Sequence, residues 1–270
     1  MIYTKSKYPA NAFNSLKIDI STAYCVKVEN DWYGENVISP FSRLYYVKSG
    51  SGRIVCENSE YILTPGRVYL IPVGLCFSHF PAGSMEKLYF HFNIIQPDGY
   101  DLLRNFGEVG VSTKSESSID EMYRLFESEN TLDKFLLKSA VQNDIAEMIR
   151  KYNITVPDLT GYSEAVNKAI DIIVESPSIC LNTKNIAVML FVSESYLSKQ
   201  FKKETGLSIG EYIDKMVFYN VQIELIESEK SIAEISEKYG FCDRFYFSRR
   251  FKQFFGETPV QYRKRLKKYR

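Results

Sequence analysis

The residues best suited to chemistry lie on two matching stretches near the carboxyl end. Ser193-Glu-Ser-Tyr-Leu-Ser-Lys-Gln-Phe-Lys-Lys-Glu-Thr-Gly206 aligns, at an offset of fifty residues, with Asp243-Arg-Phe-Tyr-Phe-Ser-Arg-Arg-Phe-Lys-Gln-Phe-Phe-Gly256. Tyr196/Tyr246, Ser198/Ser248, Phe201/Phe251, Lys202/Lys252 and Gly206/Gly256 are identical, and Tyr212/Tyr262 extends the match. Helical spacing buries Tyr196, Leu197 and Phe201 in the first copy and Tyr246, Phe247 and Phe251 in the second. The opposite face then carries Glu194, Ser195, Ser198, Lys199 and Lys202 in one copy, and Arg244, Phe245, Ser248, Arg249 and Lys252 in the other. This mixture suits double-stranded DNA: Arg and Lys donate to guanine O6 and N7, Ser bonds bases or phosphates, and Phe245 contacts a thymine methyl. Lys203, Arg250 and the run Arg263-Lys264-Arg265-x-Lys267-Lys268-x-Arg270 suit phosphates. One Lys-bearing amphipathic helix is as readily a solvated surface, so the repetition decides. Two equivalent stripes joined by a helix of roughly fifteen residues, or ~22 Å, match successive major-groove segments ~34 Å apart.

The elements that must position these residues are written around them. Ser193 and Asp243 are N-cap types, and Gly206 and Gly256 fall where a helix ends in a left-handed residue. Capping boxes follow at Ser208-x-x-Glu211 and Thr258-x-x-Gln261, the second with Pro259 at the first helical position. A further box, Ser231-Ile-Ala-Glu234, opens a helix that ends at Gly240. A short helix, a tight turn and a second helix make a helix-turn-helix.

Upstream the pattern changes. Residues 19 to 95 read as strands, with runs at Tyr24 to Val28, Leu44 to Val47, Arg53 to Cys56, Val68 to Ile71 and Leu88 to Ile94. From about Ser118 a helical period sets in. Met122, Leu125 and Phe126, then Phe135, Leu136, Ile145, Met148 and Ile149, fall on one face of two segments. Asn153 to Gly161 is turn-rich and aperiodic. The chain is therefore expected to hold a domain over 1–152, a linker over 153–162 and an all-helical domain over 163–270.

Composition bounds the reading. The 270 residues are 45% hydrophobic and 25% charged, ordinary for a globular chain long enough for two domains. The start lacks a secretory signal and no apolar run spans a bilayer, so a cytoplasmic protein without membrane contact is expected. Five scattered cysteines, Cys25, Cys56, Cys76, Cys180 and Cys242, argue for reduced thiols in small apolar niches. The net charge of +1 conceals an asymmetry: residues 180–270 carry 17 Lys/Arg against 11 Asp/Glu, and residues 1–179 carry 17 against 22. The basic part is the one that attracts phosphate.

Tyr196-Leu-Ser-Lys-Gln-Phe-Lys-Lys-Glu-Thr-Gly206 and, above all, Ile232-Ala-Glu-Ile-Ser-Glu-Lys-Tyr-Gly-Phe-Cys-Asp-Arg-Phe-Tyr-Phe-Ser-Arg-Arg-Phe-Lys-Gln-Phe-Phe-Gly-Glu-Thr-Pro-Val-Gln-Tyr-Arg263 resemble the signature of the AraC/XylS family of bacterial transcription regulators. The resemblance covers about residues 163 to 266. It implies seven helices, with recognition helices near 194–203 and 244–254. It places base contacts on Ser195, Ser198 and Lys199, and on Arg244, Phe245 and Arg249. Val217 and Val221 depart from the Arg and Ala usual on the joining helix, and Ser236 stands in place of a usual Ala.

Leu44 to Gly52, Tyr61 to Gly66 and Tyr69 to Phe77 further resemble the amino-terminal cupin barrel common in that family. The fold class expected is thus α+β multidomain: an antiparallel, cupin-like β-barrel with following helices, then an all-α double helix-turn-helix. A barrel of this kind encloses one small ligand. Trp32 and Tyr33 suit a sugar face; Arg43, Tyr45, Tyr69, His79 and His91 offer hydrogen bonds. An enzyme is the competing reading, since some cupins hold a metal. Here Phe77 occupies the motif's metal-ligand position, and His79 and His91 are the only histidines. Neither a metal nor a cofactor nor a catalytic residue is expected. Expected partners are promoter DNA, a small-molecule effector, a second copy of the chain through the barrel or the 118–152 helices, and RNA polymerase if transcription is activated. A barrel that serves only dimerisation stays open as an alternative.

Overall fold

The structure is a computed structural model and describes residues 16–96, 99–156 and 162–267. The strands are β1 (Lys17–Val28), β2 (Gly34–Val37), β3 (Ser42–Cys56), β4 (Ser59–Leu63), β5 (Arg67–Ile71), β6 (Phe77–Ile95) and β7 (Gly110–Thr113). They form one sheet ordered β1-β6-β3-β5-β7, with β2 on β6 and β4 on β3. The β2–β6, β3–β4, β3–β5, β3–β6 and β5–β7 pairs are antiparallel. Instead of a barrel closed edge to edge, the pairing path ends at β1 and β7.

The two runs expected at Leu44–Val47 and Arg53–Cys56 are one fifteen-residue strand, β3. Its register against β6 slips between Val47 and Ser49 and again between Gly50 and Gly52. Gly50, at φ 73°, permits this: a Cβ there would lie 1.8 Å from the Ser84 carbonyl oxygen.

Period-two alternation gives the sheet two buried faces. Tyr45, Val47, Ile54, Tyr69, Ile71 and Phe77 form a core on one. On the other, Tyr46 donates its hydroxyl to Asp144 Oδ2 at 2.7 Å, and Lys114 pairs with the same carboxylate at 2.6 Å. Asp144 belongs to α2 (Thr131–Lys151), which follows α1 (Glu116–Glu127). In α2 the buried stripe is Leu137, Val141, Ile145 and Met148. Phe135 and Leu136, expected inside, are exposed. The error is one of phase: both periods run through Ile145 and Met148, and only the tertiary contacts choose Leu137.

Seven helices follow: α3 (Glu164–Glu175), α4 (Thr183–Met189), α5 (Glu194–Thr205), α6 (Ile209–Glu227), α7 (Ile232–Lys238), α8 (Arg244–Phe255) and α9 (Pro259–Lys267). The sheet with α1 and α2, and the helices from α3 onward, are two compact units. Of the expected linker, residues 157–161 lie outside the described residues, as do 268–270 of the basic tail.

The fifty-residue repeat is a repeat in space. Phe201 meets Tyr212 edge-on at 5.3 Å and 82°, and Phe251 meets Tyr262 at 5.3 Å and 76°. Each fully buried Phe or Leu of this kind contributes roughly 1.5–3 kcal/mol, so Leu197, Phe201, Phe247 and Phe251 pin both lobes. Val217 and Val221 are fully buried on α6. Ser236 is also buried, and its hydroxyl has no partner among the described residues. The cysteines are free, but Cys76, Cys180 and Cys242 are exposed rather than in apolar niches.

Candidate nucleic-acid interface and ligand cavity

Capping chemistry sets where α5 and α8 begin. Ser193 Oγ accepts from the Tyr196 N–H at 3.2 Å. Asp243 Oδ1 accepts from Tyr246 and Phe245, both at 2.7 Å, and these backbone bonds hold its carboxyl below the usual carboxylate range. Both helices end on a left-handed glycine, Gly206 at φ 78° and Gly256 at φ 77°. Each leads into a capping box: Ser208 with Glu211, and Thr258, whose N–H donates to Gln261 Oε1 at 2.9 Å while its Oγ1 accepts from the Gln261 N–H at 3.3 Å.

On α5, Glu194, Ser195, Ser198, Lys199 and Lys202 are all exposed. Positions 195, 198, 199 and 202 follow the i, i+3, i+4, i+7 rule for one stripe. On α8, Arg244, Phe245, Arg249 and Lys252 are exposed and Ser248 is half-buried, its hydroxyl donating to the Arg244 carbonyl at 2.8 Å. Phe245 is 62% exposed, with the Arg244 guanidinium 4.9 Å from its ring. Among the described residues, Lys199, Lys202, Arg249 and Lys252 take part in no ion pair. The joining helix α6 has 19 residues, so it is ~28 Å long, longer than the spacing suggested.

Four expectations here are corrected. Tyr196 is 48% exposed rather than buried, and Tyr246 is half-buried. Arg250 is not on the outer surface: it pairs with Asp214 of α6 at 2.7 Å and donates to the Tyr246 hydroxyl at 3.0 Å. Burial alone lowers its pKa, and the Tyr246 and Asp214 contacts more than reverse that. Arg263 donates to the Leu225 carbonyl at 3.0 Å. These two arginines, with the Gln222 to Tyr262 bond of 2.9 Å, tie the second lobe to the joining helix. They do so without the Arg that Val217 displaces.

The sheet unit holds a cavity of about 130 Å³. It is lined by Trp32, Tyr33, Arg43, Tyr45, His79 and His91 of the residues singled out in the sequence. Strand register gathers them: Arg43 lies across from His91, Tyr45 from Tyr89, and Val47 from Lys87. Tyr69 is a neighbour of Tyr45 but is core. Its hydroxyl donates to the Ile62 carbonyl at 2.8 Å and accepts the Thr64 N–H at 3.0 Å, which closes the β4–β5 turn.

His79 stacks on Trp32 at 4.7 Å, and His91 on Phe41 at 4.2 Å. Burial first, then the nearby Lys87 and Arg43, push the His79 pKa down to about 3. Phe77 is buried in the core beside this cavity. The sequence reading missed Lys87, Tyr89 and Asp31, which also line it. Lys87 carries no sequence signal of burial; only its register opposite Val47 brings it to the cavity face.

Residues 186–265, from α4 into α9, match the helix-turn-helix domain family. The chain is 26% identical over 233 residues to the Msm operon regulatory protein of Streptococcus mutans, covering 83% of this chain and 84% of that protein. It is 24% identical over 269 residues to the lactose operon transcription activator of Staphylococcus xylosus, covering 93% and 94%. Over 89 residues it is 35% identical to the multiple antibiotic resistance protein MarA of Escherichia coli, covering 33% of this chain and 68% of that protein. Both lobes fall inside the matched domain, and the MarA alignment spans most of that protein's length, so the chain is a DNA-binding transcription regulator that belongs to the AraC/XylS family.

Proposed function

We propose that α5 and α8 read base edges in successive major-groove segments of promoter DNA through Glu194, Ser195, Ser198, Lys199 and Lys202, and Arg244, Phe245, Ser248, Arg249 and Lys252. The observation that carries this is the pair of exposed stripes whose cations Lys199, Lys202, Arg249 and Lys252 are engaged in no ion pair among the described residues. Glu194 and Ser195 have Arg244 and Phe245 as their repeat counterparts, so the two lobes read different half-sites. In this reading the chain is no enzyme and works in the cytoplasm, where its promoter is. Residues 163–270 bind DNA, 153–162 link, and 1–152 bind a small effector and dimerise.

A sugar effector is favoured by the likeness to a lactose operon activator along 93% of the chain. The same likeness favours activation through RNA polymerase. A homodimer is favoured by Leu132, Phe135 and Leu136, an exposed apolar stripe on α2.

The test begins with selection of a binding site from random-sequence duplexes, followed by Lys199→Ala and Arg249→Ala. Each is expected to cost ~1–3 kcal/mol and to relax base preference at one position. Wild-type affinity and preference in both variants would mean that another face reads the DNA.

A further inference from the structure

The cavity in the sheet unit contains two cations that the fold itself leaves unanswered. Lys87 is 3% exposed and Arg43 is 6% exposed. Among the described residues neither side chain makes a hydrogen bond or an ion pair. What faces them is aromatic. The Lys87 ammonium lies 3.9 Å from the Tyr45 ring and 4.2 Å from the Trp32 ring, and Arg43 lies 5.0 Å and 5.3 Å from Phe41 and Phe77. Burial, and then the positive charge of Arg43, pull the Lys87 pKa well down. Rings compensate a buried cation only in part, and an interior built for stability alone does not set two like charges side by side. Both residues line one cavity, so the missing partner is whatever enters it.

We infer that the cavity takes a phosphate ester of a small sugar, with its phosphoryl group between Arg43 and Lys87. This rests on the reading above that the sheet unit binds an effector, and it names the effector's class. A phosphate monoester carries about −1.5 to −2 charges near neutral pH, enough to answer both buried cations, while the lining carboxylate Asp31 is exposed to solvent. The planar fork of Arg43 suits two phosphate oxygens at once. The polyol part has its own partners. His79 Nδ1 is buried without a partner among the described residues and is free to accept a hydrogen bond from a sugar hydroxyl. Asp31, exposed at the cavity, offers Oδ2, while its Oδ1 accepts the Glu29 N–H. The lining includes exposed Tyr33 and Asp31, so the cavity meets the surface there and the polyol extends toward them.

Gly52 supports this arrangement. A Cβ there would meet the Trp32 ring at 2.5 Å, so the indole that faces Lys87 rests directly on the β3 backbone.

The test is isothermal titration calorimetry of the full chain with glucose 6-phosphate and galactose 6-phosphate, their unphosphorylated parents, gluconate and inorganic phosphate. Phosphorus NMR line broadening on the wild-type protein supplies a readout that needs no variant. A saturable sugar phosphate, bound at least about tenfold more tightly than its parent sugar or gluconate, is expected. Lys87→Met and Arg43→Gln should each weaken it by roughly ten- to a hundredfold, and Lys87→Arg should retain most of the affinity. A parent sugar or gluconate that binds as tightly as the phosphate overturns the inference and leaves the effector reading standing. Binding of none of the probes overturns both.

Discussion

At the scale of single residues, His79 joins the packing of the sheet unit to its stability. Its ring lies against Trp32 and has little contact with water, and burial, Lys87 and Arg43 in that order keep it neutral down to about pH 3. An unfolded histidine takes up a proton near pH 6.5. Between about pH 6.5 and 3 the unfolded chain therefore binds a proton that the folded chain refuses, and stability falls as pH falls across that window. Above it the contribution is flat. Thermal unfolding of His79→Gln should show a shallower loss of stability between about pH 6 and 4 than wild type, and the wild-type ring signals should not shift above about pH 4. A ring titration near pH 6.5 would show instead that the imidazole meets solvent. Residue types made His79 legible as a cavity candidate beside Arg43, Tyr45 and His91. They misled at Tyr69, a similar residue on the adjacent strand whose hydroxyl is consumed by a turn. They were silent at Lys87, because lysines are usually solvated and nothing local marks one that is not.

At the scale of elements, helix ends were legible and strand partners were not. Caps and left-handed glycines act within a turn of their own position, so Ser193, Gly206, Asp243 and Gly256 declare α5 and α8 from the sequence. The length of β3, the short strands β2, β4 and β7, and the buried phase of α2 depend on partners far along the chain. One turn shows what the repeat hides. In the second lobe the helix-turn-helix turn passes through Gly240 at φ 78°; in the first it passes through Phe191 at φ 56°, and that ring is 96% exposed. A left-handed conformation costs a side chain with Cβ roughly 1–2 kcal/mol, and glycine loses ~0.5–1 kcal/mol of chain entropy on folding. The exposed ring gives back little. Phe191→Gly is thus expected to stabilise the helical unit by up to ~1 kcal/mol, raising its thermal midpoint by a few degrees. A lowered midpoint would mean that the phenyl ring is engaged in packing.

At the scale of the whole molecule, the total charge is a poor guide to how the protein meets DNA. A net charge of +1 suggests almost no electrostatic attraction, and for a uniformly mixed surface binding would depend little on salt. Here the excess of 17 Lys/Arg over 11 Asp/Glu lies in residues 180–270, and Lys199, Lys202, Lys203, Arg249 and Lys252 are exposed without ion pairs among the described residues. A local field acts on phosphate over about a Debye length, ~10 Å at ordinary ionic strength, so the charges beside the contacted phosphates count for more than the total. Each neutralised phosphate releases counterions and adds about −0.9 to the slope of log affinity against log salt. With about four or five phosphates contacted, the slope is expected near −4. Affinity then falls on the order of a hundredfold between roughly 50 and 200 mM salt, for selected and random duplexes alike. Lys203 lies on α5 beside the reading stripe, and Lys203→Ala should weaken both duplexes equally while flattening the slope by about one. A wild-type slope near zero would place the DNA on a face governed by the net charge, and would remove α5 and α8 as the reading helices. A steep slope that Lys203→Ala leaves unchanged would keep the lobes on DNA but turn this edge of α5 away from the phosphates.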